Sequence, residues 1–408
     1  MIHPVPGLTT QEAAKRLGVK VETLYAYVSR GLVQRERSAD GRTSFYDARA
    51  IEDLARRGRP RQSSRNTSLN MLIETKLTSL SPNGVRYRGL PSSQLALTHT
   101  FEEVADWLWL GAMPGSSHTR PWAGERNDVP VTPDLVGALR VATAIASTRL
   151  PVTDDRTAPA VAVAGRRLIA TLTDSLPRVG GERVPQLTVH GTDGERRVVR
   201  DSIAGRLWLR LSAHRPQPGM LALLNATLVL LADHELAAST LAVRVAASTW
   251  ADPTAVVLAG QGVLSGPLHG GASVAVRAML ERATEVGAAR AVAEVVESGQ
   301  RIPGFGHKVY VDADPRAVVL LRLLREVSGR TRVLSVVDDV HDAVRQRLDK
   351  AANVDFALAS MSMIGGMPAD GGEVVMGVAR IAGWLAHAIE EYQEPPLRFR
   401  PRASYVGA

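Results

Sequence analysis

The 408-residue sequence contains no cysteine, which excludes disulfides, thiolate catalysis and cysteine metal sites together and fits a reducing compartment. It also lacks a GxxxxGK[ST] loop, a GxGxxG fingerprint and an HExxH pair, so a nucleotide-hydrolysing enzyme and a zinc enzyme are disfavoured. No apolar run is long enough to span a bilayer, since the longest, 220–232, is interrupted by Asn225. Residues 1–6 lack the basic-then-apolar pattern of a signal peptide. The expectation is a soluble, cytoplasmic protein without a membrane partner. What is present is apolar material, 45% of residues, enough for a large core in two or three domains. The net charge of +8 is uneven: residues 1–66 hold 13 Lys and Arg against 7 Asp and Glu. The basic excess therefore belongs to the N-terminal end.

At that end, 9–17 reads as a helix that Thr9 caps, with Glu12 completing a capping box and Gly18 ending it. A second helix, 21–30, has Val21, Leu24, Tyr25 and Val28 at helical spacing and is closed by Gly31. Residues 32–35 and 44–46 flank a turn at Asp40-Gly41 as a small β-wing, and a third helix follows at 48–57. This order resembles a MerR-type winged helix-turn-helix domain. The resemblance implies DNA as a partner, through Lys20 and Tyr25 around the second helix and Arg37 and Arg42 on the wing. That helix carries Glu22 and Ala26 where the family usually has arginines, so a module for docking or oligomer contacts stands as the alternative. Basic residues 56–65 read as a linker.

In the body, 71–80 reads as a strand, 81–84 as a turn and 85–88 as its return. Helices dominate afterwards, most clearly at 135–148, 160–176 and 221–250, with a hairpin at 186–200 around Gly191 and Gly194. The stretch 227–248 is apolar nearly all round and reads as buried helix, with Asp233-His234-Glu235 inside it. Three further stretches carry chemistry. Gly266-Pro-Leu-His269-Gly-Gly-Ala272 and Pro303-Gly-Phe-Gly-His307-Lys-Val-Tyr310 each hold a histidine in a glycine-rich corner, and Asn353-Val-Asp355-Phe356 sets an acid in an apolar run. Two imidazoles and one carboxylate make a proton-transfer set. A carboxylate in such a run is expected to be partly desolvated, with a raised pKa.

These stretches, in this order and spacing, resemble citrate synthase. So do Tyr87-Arg88-Gly89, Phe101-Glu102-Glu103-Val104-Ala105 and Leu110-Gly111-Ala112-Met113-Pro114, which extends the likeness over 68–408 and leaves it weakest across 115–215. The hairpin there reads as a structural insertion, with a changed substrate pocket as the alternative. The resemblance implies a mainly α fold: a large helical domain (68–268 with 373–408), a small one (269–372), a linker at 61–67 and the winged helix over 1–60. It implies a tricarboxylic-acid-cycle acyltransferase that condenses acetyl-CoA with oxaloacetate, with no permanently bound cofactor and no metal. Asp355 would be the base, His269 would hold the enolate oxygen and His307 would polarise the acceptor carbonyl. His234, in Asp-His-Glu-Leu-Ala-Ala-Ser-Thr, would contact oxaloacetate. Arg316, Arg380 and Arg400 would grip its carboxylates, the last reaching the neighbouring subunit of a homodimer, and Lys308 would serve the coenzyme A phosphates. Ala237 and Ser273 stand where the family commonly has Asn, and Val311-Asp312 where it commonly has a base. Propionyl-CoA as donor stays open, since one methylene discriminates by only about 1–3 kcal/mol. A metabolite-sensing DNA regulator with a synthase-like body stays open too.

Overall fold

Thr9 opens the first helix as its spacing predicts. The computed structural model describes residues 8–29, 31–38, 43–47, 50–51, 54, 72–81, 84–113, 121–149, 154–266, 269–307, 309–310, 312–329, 331–348, 350–401 and 405. The chain divides into two units, Met1–Ile73 and Glu74–Ala408. In the first, β1 (Leu8–Thr9) leads into α1 (Thr10–Leu17) through the reciprocal Thr9–Glu12 capping box, and Gly18 closes the helix at φ 63°. Then come α2 (Val21–Ser29), β2 (Arg35–Arg37) and β3 (Ser44–Tyr46). The sheet order is β1-β3-β2, antiparallel, with Leu8 and Arg35 both opposite Tyr46. The wing strand therefore starts at Arg35, later than its apolar lead-in suggests, and β1 adds a third strand. Ala13, Ala14, Leu24, Tyr27, Val33 and Tyr46 form the core of this unit. Most of the expected third helix and the linker lie outside the described residues.

The second unit begins with a meander, β4 (Thr78–Ser81), β5 (Gly84–Tyr87) and β6 (Leu90–Pro91). Only the end of the expected strand 71–80 is extended pairing: Leu72 is exposed, and among the described residues the ladder reaches back no further than Leu77, whose O accepts Arg88 N–H at 2.6 Å. Helices follow as α3 (Ser92–Thr98), α4 (Phe101–Leu110), α5 (Leu135–Arg149) and α6 (Ala158–Ser175). The expected hairpin forms as β7 (Leu187–His190) and β8 (Arg196–Val199), with Leu187 opposite Val199. Next are α7 (Ile203–Leu211), α8 (Met220–Leu231), α9 (Ala238–Ser248), α10 (Pro253–Leu264), α11 (Ala272–Val286) and α12 (Ala288–Glu297). The last four are α13 (Pro315–Ser328), α14 (Arg332–Leu348), α15 (Val354–Ile364) and α16 (Gly371–Glu391). This is a mainly helical protein, with sixteen helices among the described residues, and no described helix is long and apolar enough to cross a membrane.

The core runs through α16, which packs against α4, α5, α6, α8, α9, α10 and α15. Its expected apolar set, Val374, Val378, Ile381, Leu385 and Ile389, is buried, but so are Arg380, His387 and Glu391 on its other faces. One sequence expectation is corrected. The helix read over 221–250 is two helices, and Asp233-His234-Glu235 sits in the break between α8 and α9. The reason is polar: the Asp233 carboxylate accepts the Glu235 N–H at 3.2 Å, and Glu235 takes φ 53°, which ends helical geometry.

Candidate active site

Three Gly- or Asn-punctuated corners and two helices bring the polar groups together. Residues 303–307 fold onto the segment leading into α15. Asn353 N–H donates to Gly304 O (2.8 Å), Gly306 N–H donates to Ala351 O (2.9 Å), and Phe305 bridges Ala352. Gly304 is needed there: it has φ 81°, and a Cβ would lie 2.7 Å from Val276 and 3.0 Å from Phe356. His307 thus begins from the same clamp as Asp355, which lies in the first turn of α15 under the Asn353 cap.

The ring of His307 accepts from Val309 N–H (3.0 Å) and Tyr310 N–H (3.3 Å) through Nδ1. A nitrogen that accepts twice carries no proton, so the proton of neutral His307 is on Nε2 and has no protein partner among the described residues. Burial, then Arg316, depresses its pKa. His234 lies against it, ring centres 5.6 Å apart, with Nε2 at 3.0 Å from the Tyr310 hydroxyl. Burial, then Arg316 and Arg380, pushes His234 far below the usual histidine range, so it is neutral. His269, half-buried before α11, has Nε2 at 2.9 Å from Ser239 Oγ, which itself accepts from the Trp384 indole at 3.3 Å. The buried Ser239 hydroxyl finds its acceptor in His269 Nε2, which leaves the imidazole proton on Nδ1. Burial, then Arg380, depresses this histidine also.

Two buried arginines supply positive charge. Arg316 donates through Nε (3.0 Å) and Nη2 (2.9 Å) to Asp314, which leaves Nη1 free of that pair. Arg380 donates Nε to Leu231 O at 2.8 Å. Asp314 also accepts from Arg316 N–H and Val354 N–H, both at 3.0 Å. Burial works to raise the Asp314 pKa, but Arg316 outweighs it and holds the acid ionised. Asp355 is the opposite case. Its carboxyl has no hydrogen-bond partner among the described residues, and burial, resisted by Arg316 and aided by Asp314, pushes its pKa up to about 6.

Six of the residues singled out from sequence therefore share one electrostatic neighbourhood: His234, His269, His307, Asp355, Arg316 and Arg380. Arg400 stands apart, exposed on the C-terminal segment. Lys308 and Arg42 lie outside the described residues. In the first unit Lys20, Tyr25 and Arg37 are all exposed. Sequence reasoning missed Tyr310, Ser239 and Asp314, which orient the histidines and Arg316. Each lies within five residues of a residue it did select, the one local signal available. The β7–β8 hairpin borders a surface groove of about 1430 Å³ lined by Arg183, His190, Arg196, His214 and Arg215, which contains none of the selected residues.

The family model "Citrate synthase, C-terminal domain" matches residues 68–402, and "MerR HTH family regulatory protein" matches 8–58. The chain is 37% identical over 209 residues to "Citrate synthase 2" of Bacillus subtilis (strain 168), a match covering 50% of this chain and 56% of that one. It is 36% identical over 206 residues to a citrate synthase of Dictyostelium discoideum, covering 48% and 40%. The chain thus spans about half the length of these curated relatives. A longer match, 28% over 361 residues, covers 83% of this chain and 94% of a citrate synthase from Deinococcus radiodurans. Among solved structures, citrate synthase from Thermotoga maritima MSB8 aligns with TM-score 0.62 and 26% identity, covering 83% of this chain and 94% of that one. The ternary complex of carboxymethyl coenzyme A and oxaloacetate with the Thermoplasma acidophilum enzyme aligns with TM-score 0.64 at 22% identity over the same shares, a likeness of fold alone.

Proposed function

This chain belongs to the citrate synthase family, and from that premise we propose that it condenses acetyl-CoA with oxaloacetate to give citrate and coenzyme A. One observation carries the reading. Among the described residues the Asp355 carboxyl has no hydrogen-bond partner and its pKa is pushed up to about 6; it shares the field of Arg316 with the neutral His307, and His269 and His307 each keep an N–H without a described partner. The ionised Asp355 takes a proton from the thioester methyl, and the His269 Nδ1–H stabilises the enolate oxygen. The enolate carbon attacks the oxaloacetate ketone, whose oxygen is polarised by the His307 Nε2–H and takes that proton as the carbon–carbon bond forms. Water then hydrolyses the thioester and releases coenzyme A.

Arg380, with both Nη groups unspent among the described residues, is the group suited to a bidentate carboxylate contact; Arg316 adds Nη1, and His234 a third contact. The positive field that depresses the histidines suits a dianion. Closure of 269–372 over the rest of the second unit would exclude water during condensation. Arg400, exposed on a segment that Arg398 anchors to Glu391, would complete the site of a second copy in a dimer.

The test is coenzyme A release, followed with a thiol reagent, from oxaloacetate with acetyl-CoA or propionyl-CoA; the protein has no cysteine to add background. Turnover that disappears in Asp355→Ala supports the reading and ranks the donors, with a propionyl preference pointing to 2-methylcitrate. No turnover with either donor sinks it. A second reading, a metabolite-responsive DNA regulator, is favoured by the exposed Lys20, Tyr25 and Arg37 of the helix-turn-helix unit. Gel shifts on genomic fragments at two salt concentrations, with and without oxaloacetate, decide it, since salt-insensitive or absent binding counts against it.

A further inference from the structure

A chain of charges, buried up to its last member, runs from the His234 loop to the C-terminal segment. Asp233 is wholly buried. Its Oδ2 accepts from the Thr78 hydroxyl and from Glu235 N–H, and faces His387 Nε2 at 3.3 Å. His387, also wholly buried, accepts from Arg244 Nε through Nδ1 at 3.1 Å. Its proton is therefore on Nε2, donated to Asp233. Arg244, 1% exposed, donates Nη1 to Glu391 (3.0 Å) and Nη2 to Glu390. Glu391 is gripped from the other side by Arg398 through Nε and Nη2, both at 2.6 Å. Beside Arg398, Leu397 N–H donates to Ser248 O at 2.8 Å. Arg400 lies two residues further on.

Apolar packing would hold these elements together at least as well, because desolvating charges offsets most of their attraction. What the charges add is direction, since each fixes the orientation of the next. The loop has little freedom to answer in any other way. Gly383 N–H of α16 donates to Ala232 O at 2.9 Å, and a Cβ on Gly383 would lie 2.4 Å from Ala232 O and 2.4 Å from Asp233 Oδ1. Glu235 holds a left-handed φ of 53° while donating its N–H to Asp233, and His234 is the residue between them.

We propose that Asp233–His387–Arg244–Glu391–Arg398 is a positioning relay: it sets the His234 loop from the segment that carries Arg400, so anchoring of that segment and affinity for the dicarboxylate rise and fall together. This rests on the reading of His234 as a dicarboxylate contact. The test uses the full chain with four variants, Arg398→Lys serving as the conservative rescue. Arg398→Met cuts the relay at its partly exposed end. His387→Gln keeps a donor toward Asp233 but loses the acceptor for Arg244, and His387→Asn does the reverse. Oxaloacetate affinity is measured by calorimetry, and kcat with both KM values by coenzyme A release. The relay predicts that Arg398→Met and both His387 variants weaken oxaloacetate binding and raise its KM by about five-fold or more, with acyl-CoA KM and kcat within about two-fold, and that Arg398→Lys recovers part of the loss. Should the His387 variants fail to fold, Arg398→Met decides. Unchanged oxaloacetate affinity in Arg398→Met, or an equal decline in every parameter, overturns the relay while the wild-type activity stands. A wild-type chain that neither binds nor turns over oxaloacetate overturns the His234 reading, and the relay with it.

Discussion

Around Arg244 nearly every buried charge has its counter-charge: the guanidinium meets Glu390, Glu391 and His387, and Glu391 meets Arg398 as well. Around His234 the arithmetic is left open. Among the described residues Arg316 is matched by Asp314, but Arg380 hydrogen-bonds only a carbonyl while the Asp233 charge acts on it, the Asp355 carboxyl has no partner, and His269 and His307 each keep a donor. Both regions are buried in the same unit and share α16. The difference is saturation. A saturated cluster resists rearrangement and holds a shape. An unsaturated one has shifted pKa values and donors in search of an acceptor, and that is the condition of a site that waits for an anion.

The two regions should therefore respond in opposite ways to losing a charge. The largest effect expected is on rate: Asp355→Asn should lower kcat by about 10²- to 10⁴-fold, measured by coenzyme A release at saturating substrates. In the wild type kcat/KM should rise with pH through about 6 as Asp355 ionises. Next, Arg244→Met should cost about 3–5 kcal/mol of stability in urea unfolding, because Glu391 would keep a single cation and His387 would lose its donor. A drop below about 1 kcal/mol would erase the distinction drawn between the regions. Asp355→Asn should do the reverse and stabilise the fold by about 3 kcal/mol at pH 7. The sign follows from the raised pKa. The folded state resists ionising Asp355, so stability is lost as pH climbs from about 4 through about 6, and the variant's advantage should vanish below about pH 4. The smallest effect is Ser239→Ala. Loss of the hydroxyl that holds His269 Nε2 should lower kcat/KM by roughly 1 kcal/mol, or about five-fold, with little change in melting temperature.

Local chemistry was what the sequence could reveal. The Thr9–Glu12 capping box spans three residues, the β7–β8 hairpin is bounded by its own glycines, and the apolar spacing of α16 repeats along one helix. The glycine-rich corners marked His269 and His307, the apolar run around it marked Asp355, and resemblance added His234, Arg316 and Arg380, which the fold gathers. What stayed hidden depends on partners far apart in the chain. Asp233 meets Thr78 and His387 from more than 150 residues away on either side. Without those partners in view, 227–248 reads as one apolar helix. With them, the carboxylate has reason to leave helical geometry, and the helix breaks at His234. The buried polar face of α16 was illegible for the same reason, since periodicity reports only which face is apolar.

Asp314 holds a last consequence. It caps α13, pairs with Arg316, and receives the N–H of Val354, one residue before Asp355. A single carboxylate thus ties Arg316, the proposed substrate grip, to the backbone that carries Asp355, the proposed base. Anyone redesigning this chain for another acid would find that Arg316 is not an independent variable: exchanging it releases Asp314, and the α15 terminus with it. Selectivity and turnover would change together, and the freer route for engineering runs through Arg380, whose one hydrogen bond among the described residues is to a backbone carbonyl.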